Sequence, residues 1–294
     1  MNAKKLLNVD RRVIYLLVAI GALIPIIRPI GLPTVPTEPV WKLFNKIEEL
    51  GPDDAVIISF DYGPSSEPEL NPMAQAILRH CFARRVKVLV MALFPLGGVN
   101  MAIDQLDGIA DEFEGLEYGV DYVNLGYKDG AQAAMKRMDI SIQALFPTDV
   151  NGDPVDDMPV MTGARNYDDI SVVISLATGI IGEYWVNLVN AQFGVPVAVG
   201  CTAVSAPKYY AYLRAGQMMS MLGGLKGGSE YEKLLVDKYD FARELYEEPD
   251  VKARSAMAGM DVQSIVHMII IFFIIFGNAM YFLMKKQEKE EKER

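Results

Sequence analysis

By type and context, Asp61, Asp129 and Cys201 are the side chains of this sequence most able to act as acid, base or nucleophile. Each lies in a small polar run that follows a short, branched, apolar segment. Asp61 opens Asp61-Tyr-Gly-Pro-Ser65-Ser66-Glu67, Asp129 sits in Gly126-Tyr-Lys128-Asp129-Gly130, and Cys201 sits in Gly200-Cys201-Thr202-Ala-Val-Ser205. Pro95-Leu-Gly97-Gly98-Val-Asn100 and Ala177-Thr178-Gly179 have the same character. Glycine lets backbone N–H groups approach a ligand closely, and short hydroxyl side chains add contacts. If these runs converge, Asp61, Ser65, Ser66, Gly97, Gly98, Gly126, Lys128, Thr178, Gly179, Thr202 and Ser205 form a small-ligand site. The same residue types serve as caps and sharp bends in any strand-to-helix turn.

Other chemistries find less support. The sequence has no GxSxG, no GxxxxGK[ST], and no GxGxxG after its first apolar segment, and no cofactor is expected. Its two histidines are His80, in the helical pattern AILRHCFARR, and His267, inside a long apolar run. Cys81 points about 100° away from His80 on a helix, so the pair is no ready dyad. Two cysteines support neither a disulfide framework nor a zinc cluster; two separate buried thiols are expected, and a single Cys81–Cys201 bridge in an oxidising compartment is the alternative. Asp149, Asn151 and Asp153 alternate like the start of a calcium loop, but the glycine is misplaced and Val160 stands where the closing glutamate belongs. A solvated turn is the expectation there, with no metal. Met218, Met219 and Met221 read as core filler on an apolar helix. Gly223-Gly224-Leu-Lys226-Gly227-Gly228 reads as a flexible joint between two helices.

The elements that must position these residues alternate. Apolar strand-like segments are expected at Ala55–Phe60, Val86–Phe94, Tyr122–Leu125, Ile170–Leu176 and Val195–Gly200. Helical patterns are expected at Trp41–Leu50, Pro68–Arg85, Val99–Glu114, near Gly130–Met138, over Gly179–Phe193, and at about 207–222 and 229–247. This alternation implies an α/β fold, a three-layer Rossmann-like or flavodoxin-like domain over residues 41–260 with a mostly parallel sheet. Ile140–Arg165 breaks the pattern and reads as an insertion or edge element with a hairpin tip at Asn151-Gly152.

Both ends of the chain look like membrane segments. Val262–Met284 is 23 residues without a formal charge, followed by Lys285, Lys286 and the rest of a charged tail over 285–294. Val13–Ile27 is also apolar, preceded by Arg11 and Arg12 and interrupted by Pro25, Arg28 and Pro29. It reads as an uncleaved signal anchor over 13–30, and a proline-rich spacer over 31–40 follows. Basic residues cluster at 1–12 and after 284, which places both termini in the cytoplasm. The central domain then lies outside the cytoplasm, in the periplasm or at the cell exterior.

Charge narrows the partners. Residues 31–260 carry 18 of the 28 Lys/Arg and 32 of the 38 Asp/Glu, a net charge near −14, against −10 for the chain. Such a domain is a poor match for nucleic acid, which needs clustered cations. Ser264, His267 and Asn278 inside the second span are candidates for contacts with other membrane helices, either the first span or another copy. The expectation is a double-anchored module that binds a small ligand or a protein partner, within a homo-oligomer or with other membrane subunits. The competing reading is a membrane-anchored hydrolase or transferase using the strand-end residues. A purely structural membrane oligomer is the third.

Overall fold

The computed structural model describes residues 11–292, without the side chains of residue 107 and of residues 287–292. Six strands form one all-parallel sheet: β1 Ala55–Asp61, β2 Lys87–Ala92, β3 Tyr122–Tyr127, β4 Ile170–Ala177, β5 Val197–Cys201 and β6 Ser220–Gly223. Their order is β3-β2-β1-β4-β5-β6, so the winding reverses between β1 and β4. Helix α1 (Arg11–Ile27) and α2 (Glu38–Glu48) come first, α3 (Glu67–Ala83) follows β1, and α4 (Gly98–Ala110) follows β2. α5 (Ala131–Met138) and the short α6 (Ile142–Leu145) follow β3. After β4 come α7 (Ile181–Tyr184), a π-helical turn (Trp185–Asn190) and α8 (Ala191–Phe193). α9 (Ala206–Arg214) follows β5, and α10 (Gly224–Lys238) follows β6. Then come α11 (Asp240–Leu245), α12 (Pro249–Arg254) and the long α13 (Ala256–Lys292).

A strand buried on both faces must be apolar on both, and all seven residues of β1 are buried. Val56, Ile58 and Phe60 point into one core layer with Phe44, Leu70, Ile77, Leu106 and Tyr231. Ala55 and Ile57 point the other way, into a layer with Met135, Leu145, Trp185 and Tyr209. This is the period-two alternation of a strand, and it places helices on both sides of the sheet. Cys81 and Cys201 are free, buried thiols in opposite layers.

The structure corrects the reading of residues 207–247. The expected helix ends at Arg214, and Ser220–Gly223 is a sixth strand paired with β5. Met218 and Met221 are buried as expected, but Met221 lies on this strand rather than on a helix. The glycine-rich run is therefore a strand-to-helix junction and the first turn of α10, not a joint between helices. Gly227 needs to be glycine there, because a Cβ would lie 2.7 Å from the Leu222 backbone. The segment 140–165 is an insertion with a tight turn, closed by an antiparallel bridge between Thr148 and Pro154, with Gly152 at φ +91°.

Among the described residues one helix is long and apolar enough to cross a membrane, Ala256–Lys286 within α13, whose most apolar 18-residue stretch has a mean hydropathy of 2.2. No part of its most apolar stretch is buried by the rest of the protein. α1, of 17 residues, runs through Pro25 and packs antiparallel along it. At Gly21 the helices approach so closely that a Cβ would lie 2.3 Å from Ile269 Cδ1. Ile30–Leu32, just past the end of α1, meet Asp261 near the start of α13. Arg11 begins α1, while residues 1–10, expected in the cytoplasm, lie outside the described residues.

Candidate functional site

The reversal of winding between β1 and β4 is where open parallel sheets hold ligands, at the carboxyl ends of the strands. Here that position is filled by the protein itself. Asp61, at the end of β1, is fully buried. Its Oδ1 accepts the Leu93 N–H at 2.9 Å, and its Oδ2 accepts the Ser175 hydroxyl and the Trp185 indole N–H, both at 3.0 Å. Burial pushes its carboxyl up, and these donors oppose that shift. The Asp61 carbonyl accepts the Thr178 N–H at 3.0 Å, which ties the β1 and β4 loops together.

The remaining strand-end residues are also occupied locally. A Cβ on Gly98 would lie 2.3 Å from the Phe60 carbonyl oxygen, and one on Gly63 would lie 2.8 Å from the Leu96 carbonyl oxygen. Gly97, at φ +103°, abuts Pro64. These glycines let the β1 and β2 loops press on each other, and Ser65 and Ser66 follow in a short 3-10 turn. The Gly126 N–H is capped by Asn124 Oδ1 at 3.0 Å, Lys128 lies over the Phe146 ring, and Asp129 accepts the Tyr127 hydroxyl. The Thr202 hydroxyl bonds the Ser205 hydroxyl, and the Gly179 carbonyl accepts Lys208 Nζ. Cys201 is buried, and burial pushes its thiol up to about 12. Four cavities lie elsewhere among the described residues, and none of these four is lined by any of the strand-end candidates.

The other candidates resolve similarly. The Asp149 carboxylate accepts the Asn151 and Asp153 N–H groups and the Tyr118 hydroxyl, so it organises its own turn. No cluster of His, Cys, Asp and Glu suited to a metal occurs among the described residues. His80 is buried at the far end of α3, away from the strand ends, and stacks on Phe44 with ring centres 4.4 Å apart. Burial lowers its pKa against the opposing pull of Glu48; Nε2 lies 3.0 Å from the Glu48 carboxyl and Nδ1 lies 2.7 Å from the Tyr231 hydroxyl. Burial alone would raise Glu48, but His80, Lys238 and Tyr239 outweigh it and hold this carboxyl at about 2. In α13 the side facing α1 carries Asp261, Ile265 and Ile269. His267 is exposed on the other side, Ser264 is half-buried, and the Asn278 amide donates to the Ile274 carbonyl of its own helix.

A denser polar arrangement occurs where the apolar helices meet the domain. Three buried carboxylates make it. Asp261 accepts the N–H groups of Ile30, Gly31 and Leu32 at 2.7, 2.7 and 2.8 Å. Glu230, on α10, accepts the Thr37 N–H at 2.9 Å and its hydroxyl at 2.6 Å, and pairs with Lys226. Glu232, two residues on and so on the opposite side of α10, accepts the Ala256 and Met257 N–H groups, both at 2.8 Å. These are the orphan donors of the first turn of α13, so the carboxyl group also meets the positive end of that helix. Burial raises Glu232 to about 8, while those N–H groups and Arg79 pull it down. The sequence reading passed over all three acids. An acid directly before a 23-residue uncharged run was the one signal available, at Asp261.

The same junction holds the largest of the four cavities, about 480 Å³. Its domain wall is Glu67, Asn71, Gln75 and Gln105, and its helix wall includes Ile26, Arg254, Ala258 and Val262. A second cavity of about 340 Å³ shares Gln75, Gln105 and Arg254 and is bordered by the Arg79–Glu112 pair, whose contacts are 2.7 Å.

The fold also sets which edge of the sheet adjoins the apolar helices. α10 descends from the carboxyl end of β6, and α13 runs antiparallel to it, with Gly228 against Ala256 and Gly259 against Leu225. α13 therefore climbs toward the strand-end edge, and its apolar run starts at Val262, about 4.5 Å beyond Gly259 at 1.5 Å per residue. Three loop tips on that edge expose large apolar side chains: Leu96 at 72%, Ile180 at 53% and Val204 at 88%. No protein-family model, no curated protein and no solved structure matches this chain.

Proposed function

We propose that this chain is a two-pass membrane protein whose acidic α/β domain lies outside the cytoplasm, both termini being cytoplasmic, and that it works as a binding module within a homo-oligomer or a larger membrane complex. The observation that carries this reading is the set of buried acids at the junction: Glu232 ties α10 to the first turn of α13, Glu230 ties α10 to Thr37, and Asp261 ties α13 to the segment leaving α1. A flexible tether would need no such contacts. A rigid junction fixes how the domain is presented, which matters when the partner is in or on the same membrane.

Two further features support it. The outer sides of α1 and α13 expose Leu16, Leu23, Ile24, Ile271, Phe272 and Ile275, an apolar surface that water would penalise and hydrocarbon would not. The strand-end edge, with Leu96, Ile180 and Val204, then lies against the headgroup region, where such side chains are at home. Of the groups named for a hydrolase or transferase, Asp61 and Cys201 face inward.

His267, exposed on the side away from α1, is the basis for self-association, because a polar group in hydrocarbon favours a polar partner on a neighbouring helix. Disulfide trapping in native membranes tests this. His267→Cys is expected to give a crosslinked dimer under mild oxidation, whereas Ile265→Cys, facing α1, is not. Native mass spectrometry of the gently released protein should show an oligomer or mixed complex. A monomer with no crosslink at 267 would overturn the assembly.

A further inference from the structure

We infer that the junction cavity is a headgroup site for an amino-phospholipid, the phosphate held by Arg254 and Gln105 and the primary ammonium by Glu67. This rests on the membrane reading above and names the ligand class that the reading leaves open. The cavity lies at the height where the apolar runs begin, since Ile26 and Val262 belong to those runs and Arg254 and Ala258 precede the second. Its walls are divided accordingly. Ile26, Ala258 and Val262 offer an apolar side, and the domain wall offers amides and a carboxylate beside Pro68 and Pro72. An amphiphile half in hydrocarbon and half in water matches that division.

The polar groups are available to a ligand. Gln105 is only 6% exposed, and its Oε1 accepts the Gln75 amide at 2.8 Å. The same residue lines both cavities, so its amide stands at their shared wall. Arg254 and Glu67 also line the cavity and make no ion pair among the described residues. A guanidinium and an amide lining one cavity can both donate to acceptor oxygens, which is what a phosphate diester presents. A carboxylate beside them selects a compact ammonium carrying N–H donors over a methylated one. The acidic domain gives no general attraction for anionic lipid, so selection must come from this cavity.

The test is native mass spectrometry of the full-length protein released from nanodiscs containing equal parts of ethanolamine, glycerol and choline phospholipids. The expected result is one retained lipid per chain, enriched in the ethanolamine species and unaffected by added inorganic phosphate. Arg254→Ala should lower retention about tenfold, as loss of a charge-assisted hydrogen bond implies, and Arg254→Lys should restore part of it. Glu67→Gln should keep the lipid but lose the preference for ethanolamine over choline. Retained lipid at bulk composition and insensitive to both substitutions, or a phosphate adduct in place of lipid, would overturn the inference. Failure to enter nanodiscs at all would instead remove the membrane reading beneath it.

Discussion

Replacing the ionisable Glu232 by glutamine should remove a large part of the pH dependence of folding. This carboxyl is fully buried, with its ordinary value of 4.5 raised to about 8 in the folded protein. Below pH 4.5 both folded and unfolded chains hold the proton. Between 4.5 and 8 the unfolded chain releases it and the folded chain keeps it, so stability falls as pH rises. At about 1.4 kcal/mol per unit, the accumulated loss approaches roughly 5 kcal/mol by pH 8. Glu232→Gln cannot ionise in either state. His80, Glu48 and Asp61 titrate alike in both proteins and cancel in the comparison. The assay is thermal unfolding of the detergent-solubilised protein and the variant across pH 5–8.5. The wild type should lose roughly 10 °C or more relative to the variant over this range, from about 2–4 °C per kcal/mol for a domain of this size. Parallel curves would refute the argument that burial governs this group.

Three other substitutions follow from the geometry. Asp261→Ala leaves three N–H groups of the α1 exit without their acceptor and should cost about 3–5 kcal/mol, read as a lower unfolding temperature and faster proteolysis near residues 28–37. Gly98→Ala would press a methyl group against the Phe60 carbonyl oxygen, which is backbone and cannot swing aside, so a loss of about 1–3 kcal/mol is expected in the same assay. Asp61→Ala orphans the Ser175, Trp185 and Leu93 donors and should destabilise by about 3 kcal/mol, with a change in Trp185 fluorescence. An Asp61→Ala protein that is as stable as the wild type would show that this acid is not structural.

The fold was legible wherever burial imposed a simple pattern. β1, β2, β4 and β5 are continuous apolar runs, and the helices between them follow from their spacing. β6 was hidden because four residues, Ser220–Gly223, carry no period, and the methionines around them fit a helix equally well. The site was less legible, because its contacts are distant in sequence. Asp61 meets Trp185 across 124 positions, and Asp261 meets Gly31 across 230. The type of an acid does not reveal whether it faces solvent or a row of backbone donors. The strand-end loops therefore read as a crevice, although Gly63, Gly97 and Gly98 serve to close them.

The most direct test of the account is the sidedness of the domain in intact cells. Both native thiols are buried, so single engineered cysteines report cleanly to a membrane-impermeant maleimide. Asp156→Cys, at an exposed position of the domain, should label without permeabilisation, while Asn2→Cys and Glu290→Cys should label only after it. Labelling of Asp156→Cys only after permeabilisation, or of either terminus in intact cells, would contradict a domain held outside by two membrane-crossing helices.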